Sequence, residues 1–168
     1  MKRQSLLYLI MAALLAALIT ALTYYGRIPF PMTSDGYVHL GDGVVYIAAA
    51  LLPGPYAAAA AAIGCGLADL GCGYFSWIPA TVLLKACMAL LFTSKRPNML
   101  NRRNILALLP AAVINVGGYF LYESLTLHHW AAMVSAVGNV IQSVLGALLF
   151  VLLAAALDHL QVKTRFMR

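Results

Sequence analysis

Three stretches of the sequence carry polar side chains at helical spacing inside otherwise apolar segments. Trp77, Thr81 and Lys85 recur at every fourth residue, which places them on one face of a helix. The other two stretches carry Asn115, Tyr119, Tyr122 and Glu123, and Ser135, Asn139, Gln142 and Ser143. Amide and carboxyl groups are costly to expose to lipid. The three stripes therefore predict an internal polar cavity.

Such a cavity suits a small polar ligand that contains an aromatic ring. The side chains that could stack on the ring are Tyr74, Trp77, Tyr119 and Tyr122. The groups that could hydrogen-bond its edges are Asn115, Glu123, Asn139 and Gln142. An alternative is that these polar residues only join helices, as Asn and Gln do in many membrane bundles. Tyr74 and Trp77 could likewise belong to an aromatic belt at the membrane interface.

Lys85 requires an acidic partner because it lies in an apolar segment, and Asp42, Asp69 or Glu123 could provide one. Lys85 could either form a structural ion pair or contact a ligand. Asp42 and Asp69 either stabilise helix ends or line the pocket mouth. His128 and its neighbour form an exposed turn without an evident third ligand, so the sequence predicts no metal site.

The elements that must position these residues are transmembrane helices. Of the 168 residues, 63% are hydrophobic and 10% are charged, whereas a soluble domain carries about 25% charged residues. The composition predicts an all-α integral membrane protein with one domain over residues 1–168. Its six predicted spans are roughly 6–25, 39–52, 56–70, 75–93, 105–125 and 130–157.

The basic residues predict the orientation. All eleven Lys and Arg except Arg27 and Lys85 fall in three clusters, at the N-terminus, between residues 95 and 103, and at the C-terminus. Because Lys and Arg concentrate on the cytoplasmic side, six spans with both termini cytoplasmic fit best. The cavity then opens to the outside. The net charge of +6 is explained by topology and anionic lipid rather than by nucleic acid.

The first span carries a second kind of surface. Ala13, Ala17 and Ala21 repeat at every fourth residue, a small-residue face that lets another helix approach closely. The partner is either a helix of this chain or one of another subunit. The sequence contains neither a GxxxxGK[ST] phosphate loop nor a HExxH or GxSxG motif. A ligand-binding membrane subunit without its own ATPase is the favoured interpretation. An integral-membrane enzyme and a ligand-free assembly protein are the alternatives.

Four ordered segments resemble a known family. They are Tyr37-Val-His-Leu-Gly-Asp42, Leu52-Pro-Gly-Pro-Tyr-Ala57, Gly66-Leu-Ala-Asp-Leu70 and Pro79-Ala-Thr-Val-Leu-Leu-Lys85. The chain resembles the substrate-binding (S) component of energy-coupling factor (ECF) vitamin transporters. Gly118-Tyr-Phe-Leu-Tyr-Glu123 and Gly138-Asn-Val-Ile-Gln142 continue the match, so the similarity extends from the first span to the sixth.

The resemblance implies a multi-pass protein of the bacterial cell membrane that binds a vitamin from outside. It adds Tyr37, His39 and Asp42 to the expected ligand site. It also implies that Ala13, Ala17 and Ala21 dock on a transmembrane coupling (T) subunit that carries two ATPases. ATP is then used by those partners, and no cofactor is expected in this chain. A ligand of the pyridoxine or hydroxymethylpyrimidine type is favoured, with riboflavin as an alternative.

Overall fold

The computed structural model describes residues 3–29, 37–126 and 129–166, and nearly all of them are helical. The helices are α1 (Arg3–Tyr25), α2 (Gly41–Leu51), α3 (Gly54–Cys72), α4 (Ile78–Leu90), α5 (Arg102–Thr126), α6 (His129–His159) and α7 (Val162–Phe166). A single 3-10 turn, Phe75–Trp77, precedes α4. Two short strands, β1 (Ile28–Pro29) and β2 (Tyr37–Val38), pair antiparallel with Ile28 opposite Val38.

Each predicted span coincides with one of the helices α1 to α6, but three details differ. The predicted fourth span begins as a 3-10 turn and its helix ends at Leu90 rather than at residue 93. The predicted spans leave residues 26–38 as a connection, and Ile28–Pro29 and Tyr37–Val38 in that connection form the β1–β2 pair. Helix α7 was not predicted.

Helix length divides the bundle into two groups. In the part of the chain that the structure describes, α1, α3, α5 and α6 are long and apolar enough to cross a membrane. Helix α2 has 11 residues and therefore rises only about 16 Å, against a hydrocarbon core of about 30 Å. Ten of those residues, Gly41 to Ala50, are buried, so α2 runs through the centre of the bundle. The chain is a multi-pass, all-α membrane protein.

Local sequence explains where the helices begin and end. Pro55 lies in the first turn of α3, where a missing backbone N–H costs little. Gly73 ends the same helix in the left-handed conformation, with a φ of 82° that residues with a side chain rarely adopt. At α5, the side-chain oxygen of Asn101 accepts a hydrogen bond from the backbone N–H of Asn104 at 3.1 Å, as a helix N-cap does.

Helices α1 and α3 approach closely because small residues face each other. A Cβ on Gly64 would lie 2.8 Å from the carbonyl oxygen of Ala16. The Thr20 hydroxyl lies 2.9 Å from the carbonyl oxygens of both Ala16 and Gly64, so it ties the two helices together. The outer surface is apolar: Leu14, Leu109 and others are more than 60% exposed, as expected of lipid-facing residues.

The two ends of the bundle differ in charge. We call one the basic end, because it carries Arg3, the loop from Lys95 to Arg103, and Lys163. The opposite end, which we call the pocket end, holds the C-terminus of α1, the β1–β2 pair and the start of α4. Among the described residues at the pocket end, Arg27 is the one Lys or Arg.

Candidate functional site

A polar cavity of about 60 Å³ lies at the pocket end, enclosed by α1, α3, α4, α5, α6 and the segment around β2. Its lining residues are Thr23, Tyr37, His39, Cys65, Asp69, Tyr74, Trp77, Thr81, Tyr119, Glu123, Ser135, Asn139 and Gln142. The three predicted polar stripes therefore converge on one cavity. It lies away from the three basic clusters, as the orientation argument requires.

Aromatic rings form one wall of the cavity. The ring of Tyr37 stacks on that of Tyr74, with centroids 5.2 Å apart and planes 18° from parallel. Trp77 packs edge-on against Tyr74 at 5.8 Å. The β1–β2 pair holds Tyr37 in place, and its hydroxyl donates to Asp69 Oδ1 at 2.5 Å. Burial, followed by the charge of Asp69, raises the pKa of Tyr37, so its phenol remains a donor.

Two carboxylates line the cavity, and each accepts hydrogen bonds through one of its two oxygens. Tyr37 donates to Oδ1 of Asp69. The indole N–H of Trp77 and the hydroxyl of Ser135 donate to Oε1 of Glu123 at 3.1 and 3.0 Å. Both side chains are about 5% exposed. The second oxygens, Asp69 Oδ2 and Glu123 Oε2, are buried and receive no hydrogen bond from the residues that the structure describes. These two oxygens are acceptors that the described residues leave without a donor.

Hydrogen bonds fix the remaining polar lining. The backbone N–H of Gly41 donates to Nδ1 of His39 at 3.1 Å, so this nitrogen is unprotonated and the neutral ring carries its proton on Nε2. The hydroxyls of Thr81 and Tyr119 are 2.7 Å apart. The lining therefore offers ring faces, carboxylate oxygens and neutral donors, which suits the binding of a polar aromatic molecule.

A network of buried charges lies beneath the cavity. Lys85 Nζ is 2.7 Å from Asp42 Oδ1 and donates to Asn115 Oδ1 at 2.8 Å. Gln142 Nε2 donates to Asp42 Oδ2 at 2.9 Å, and Asn115 Nδ2 donates to the hydroxyl of Ser143 at 3.1 Å. Lys85, Asp42 and Asn115 are fully buried. Among the three acids that the sequence left open, Asp42 is the partner of Lys85. We call these five residues the ion-pair network.

The predicted ligand-binding residues fall into three groups. Most line the cavity: Tyr37, His39, Tyr74, Trp77, Thr81, Tyr119, Glu123, Asn139 and Gln142. Asp42, Lys85 and Asn115 lie beneath it, in the ion-pair network. Tyr122 is half-buried outside the lining, and its hydroxyl donates to the carbonyl oxygen of Ser76. That any of them contacts a ligand stays a prediction.

Two lining residues were not singled out from the sequence, Thr23 and Cys65. Thr23 continues the buried face of α1 that also holds Ala12, Ala16 and Ile19, and this spacing was the available signal. Cys65 lies within an apolar segment and gives no comparable signal. In residues 3–29, 37–126 and 129–166, no three His, Cys, Asp or Glu side chains cluster as metal ligands.

The alanine face of α1 borders a second, larger hollow. Ala13 and Ala17 are exposed and line an apolar groove of about 540 Å³ between α1 and α3. Ala21 is half-buried and lies outside the groove lining. The neighbouring row, Ala12 and Ala16, is buried. One alanine row of α1 therefore packs within the chain, and the other remains open to a further helix.

Comparison with known proteins agrees with the resemblance found in the sequence. Residues 3–159 match the model of a family described as the ECF-type riboflavin transporter, S component. No curated protein matches the chain. The family match covers every helix from α1 to α6 and the whole cavity lining.

Proposed function

The chain belongs to the ECF-type riboflavin transporter S component family, and from this membership we propose that it captures a small heteroaromatic vitamin or vitamin precursor outside the cell for ATP-driven uptake. The observation that supports this proposal is the polar cavity at the pocket end. It combines stacked aromatic rings with carboxylate and amide groups, and it lies opposite the basic end.

We favour a ligand with a single ring, of the pyridoxine or hydroxymethylpyrimidine type. The cavity of about 60 Å³ has room for about two water molecules, whereas occupied ligand pockets typically measure about 300–1,000 Å³. Binding therefore requires the cavity to open, and one ring requires less opening than the three fused rings of riboflavin. Riboflavin is the second candidate, because it is named in the description of the matching family.

Ligand binding by the purified protein tests this function. We expect pyridoxine or 4-amino-5-hydroxymethyl-2-methylpyrimidine to bind in calorimetric titrations, and native mass spectrometry to detect ligand that survives extraction. Quenching of riboflavin fluorescence on titration would identify the second candidate instead. Failure of all these compounds, and of any other vitamin, to bind would contradict the proposal.

We also propose six spans with both termini in the cytoplasm of a bacterial cell. The short helices α2 and α4 complete their crossings with the chain that flanks them, and the basic end faces the cytoplasm. In a Cys72→Ser background, Tyr25→Cys marks the pocket end and Asn98→Cys marks the basic loop. A membrane-impermeant thiol reagent should label the first in intact cells and the second only after permeabilisation. The reverse pattern would invert the orientation.

The exposed alanine groove fits a helix of a transmembrane coupling subunit. Ala13 and Ala17 offer the close approach that helix pairing in lipid requires. Two ATPases associated with that subunit would supply the energy, and ATP would be used there. Ala17→Trp fills the groove and should prevent co-purification with the coupling subunit while leaving ligand affinity unchanged. Leu14→Trp, which faces away from the groove, is the matched control. Assembly that survives Ala17→Trp would exclude this surface.

A further inference from the structure

We infer that the cavity is built for a ligand that brings amino groups or positive charge, namely an amino-substituted or protonated heteroaromatic ring that donates hydrogen bonds to both Asp69 and Glu123. The inference rests on the proposed function, since it narrows the class of vitamin-like ligand that the same site takes. It starts from the two carboxylate oxygens that lack a donor.

The protein orients both carboxylates but supplies hydrogen-bond donors to only one oxygen of each. Tyr37 fixes Asp69 through Oδ1, while Trp77 and Ser135 fix Glu123 through Oε1. The other oxygen of each group is buried and has no donor among the described residues, and both side chains belong to the cavity lining. Buried acceptors are normally satisfied. A carboxylate oxygen accepts hydrogen bonds, so a ligand that enters the cavity with donors at its edge would satisfy both oxygens.

The charges around the cavity also favour a positively charged ligand. Among the described lining residues there is no Lys or Arg. His39 accepts a hydrogen bond at Nδ1, so its ring is neutral. The charge of Lys85 is balanced by Asp42 at 2.7 Å, beneath the lining. Within the described lining, Asp69 and Glu123 are thus buried acids with no Lys or Arg beside them, an arrangement that is costly until a positive group binds.

The aromatic wall suits the same ligand. Tyr74 and Trp77 present ring surfaces beside Glu123, and a cationic ring gains from contact with such surfaces. A neutral ring whose edge carries mainly carbonyl oxygens would instead place acceptors against the open oxygens of Asp69 and Glu123. The geometry therefore selects for donors at the edge of the ligand.

Two matched pairs of probes test the inference on the purified full-length protein. Pyridoxamine and pyridoxine differ by an amine in place of a hydroxyl. The second pair is 4-amino-5-hydroxymethyl-2-methylpyrimidine and its 4-oxo analogue. We expect the amino member of at least one pair to bind about 10- to 100-fold more tightly, the effect of one hydrogen bond to a charged group. Tight riboflavin binding with no preference in either pair would overturn the inference and leave the proposed function intact. No binding by any probe would contradict both.

Charge-removing variants provide the second test. Glu123→Gln and Asp69→Asn should reduce the preference for the amino probe about 10-fold or more. Their melting temperatures without ligand should stay the same or rise, because each change removes an uncompensated buried charge. The control is Asp158→Asn at the basic end, where both oxygens already accept backbone N–H groups at 2.8 Å. It should leave the preference unchanged. Variants that keep the preference, or that lose unliganded stability instead of it, would overturn the inference.

Discussion

The two groups of buried polar residues in this protein differ in how completely they are paired. In the ion-pair network, Asn115 and Gln142 hydrogen-bond to the pair formed by Lys85 and Asp42. Asp42 Oδ1 has no hydrogen bond among the described residues, but it lies 2.7 Å from the ammonium group of Lys85. In the cavity above it, Asp69 and Glu123 each have an oxygen without a described donor. From this difference we expect the ligand site to lie where polar groups are left unpaired, rather than wherever polar residues occur in the membrane.

At the basic end, as in the ion-pair network, the buried polar side chains have partners within the protein. Both oxygens of Asp158 accept backbone N–H groups, those of Met99 and Leu100. The side chain of Asn104 accepts from the N–H of Thr93 and donates to the carbonyl oxygens of Thr93 and Met99. Among the described residues, the buried carboxylate oxygens that have neither a hydrogen-bond donor nor an ion contact are those of Asp69 and Glu123 at the cavity. Variants in the two groups should consequently change different quantities.

The largest effect is expected at the ion-pair network. Lys85→Met leaves Asp42 fully buried without its cation, which should lower the free energy of unfolding by about 3–5 kcal/mol. Adding Asp42→Asn removes the stranded charge and should recover much of the loss. Chemical denaturation in detergent, with ligand affinity determined on the folded fraction, measures both quantities. A Lys85→Met protein that unfolds normally but binds ligand poorly would instead make Lys85 a ligand contact.

A smaller loss of stability is expected at the basic end. Asn104→Ala removes three hydrogen bonds from the loop between α4 and α5 and leaves the N–H and carbonyl groups of Thr93 without a described partner. The Met99 carbonyl still accepts from Asn101. We expect about 2 kcal/mol less stability and an unchanged ligand affinity. Asn98→Ala makes the same change at an exposed position of that loop and is the control. Equal melting temperatures for the two variants would show that the pairing of Asn104 contributes nothing.

In the cavity, the loss of a hydrogen-bond donor should lower ligand affinity rather than stability. Trp77→Phe keeps a ring but removes the N–H that orients Glu123 at 3.1 Å. We expect affinity to fall about 10-fold while the unliganded stability changes by less than about 1 kcal/mol. Trp130→Phe, at a residue 72% exposed and outside the cavity lining, should affect neither. Calorimetric titration and thermal unfolding decide the result, and a purely structural Trp77 would show the opposite pattern.

The smallest effect concerns Lys163, whose ammonium group donates to the carbonyl oxygen of Ala50 at 2.7 Å, at the end of α2. Burial lowers the pKa of Lys163 from 10.5 to about 8, although Asp158 opposes the change. Because the folded state loses this proton first, the free energy of unfolding should rise as the pH increases from about 8 towards 10.5. We expect a gain of about 1 kcal/mol over that range, less than the full pKa difference implies because solvent at the basic end screens the charge, and no gain in Lys163→Met. Parallel pH profiles for the two proteins would contradict the assignment.

Helix positions could be predicted from the sequence because hydropathy and turn residues record them directly. The six predicted segments coincide with helices α1 to α6, four of which are long and apolar enough to cross a membrane. The β1–β2 pair could not be predicted, because strands of two residues leave no periodic signal. Helix α7 has five residues and is likewise too short to leave one.

The cavity could be predicted in part for a similar reason. Helical spacing brought Trp77, Thr81 and Tyr119 to one place, but spacing gives only the face of each helix. It does not give the partner of a charge, so Asp42 could not be separated from Asp69 as the partner of Lys85. It also does not give depth, and so Asn115 was grouped with the lining although it lies beneath. These distinctions depend on how the helices pack against one another.

An experimental structure of the protein with its ligand tests the central claim most directly, namely that the incompletely paired end is the ligand site. We expect the ligand to lie between Asp69 and Glu123 against Tyr74 and Trp77, with its donors within about 3 Å of Asp69 Oδ2 and Glu123 Oε2. The ion-pair network beneath should be unchanged. A ligand bound at the basic end or in the groove between α1 and α3, with the two carboxylate oxygens still open, would contradict the claim.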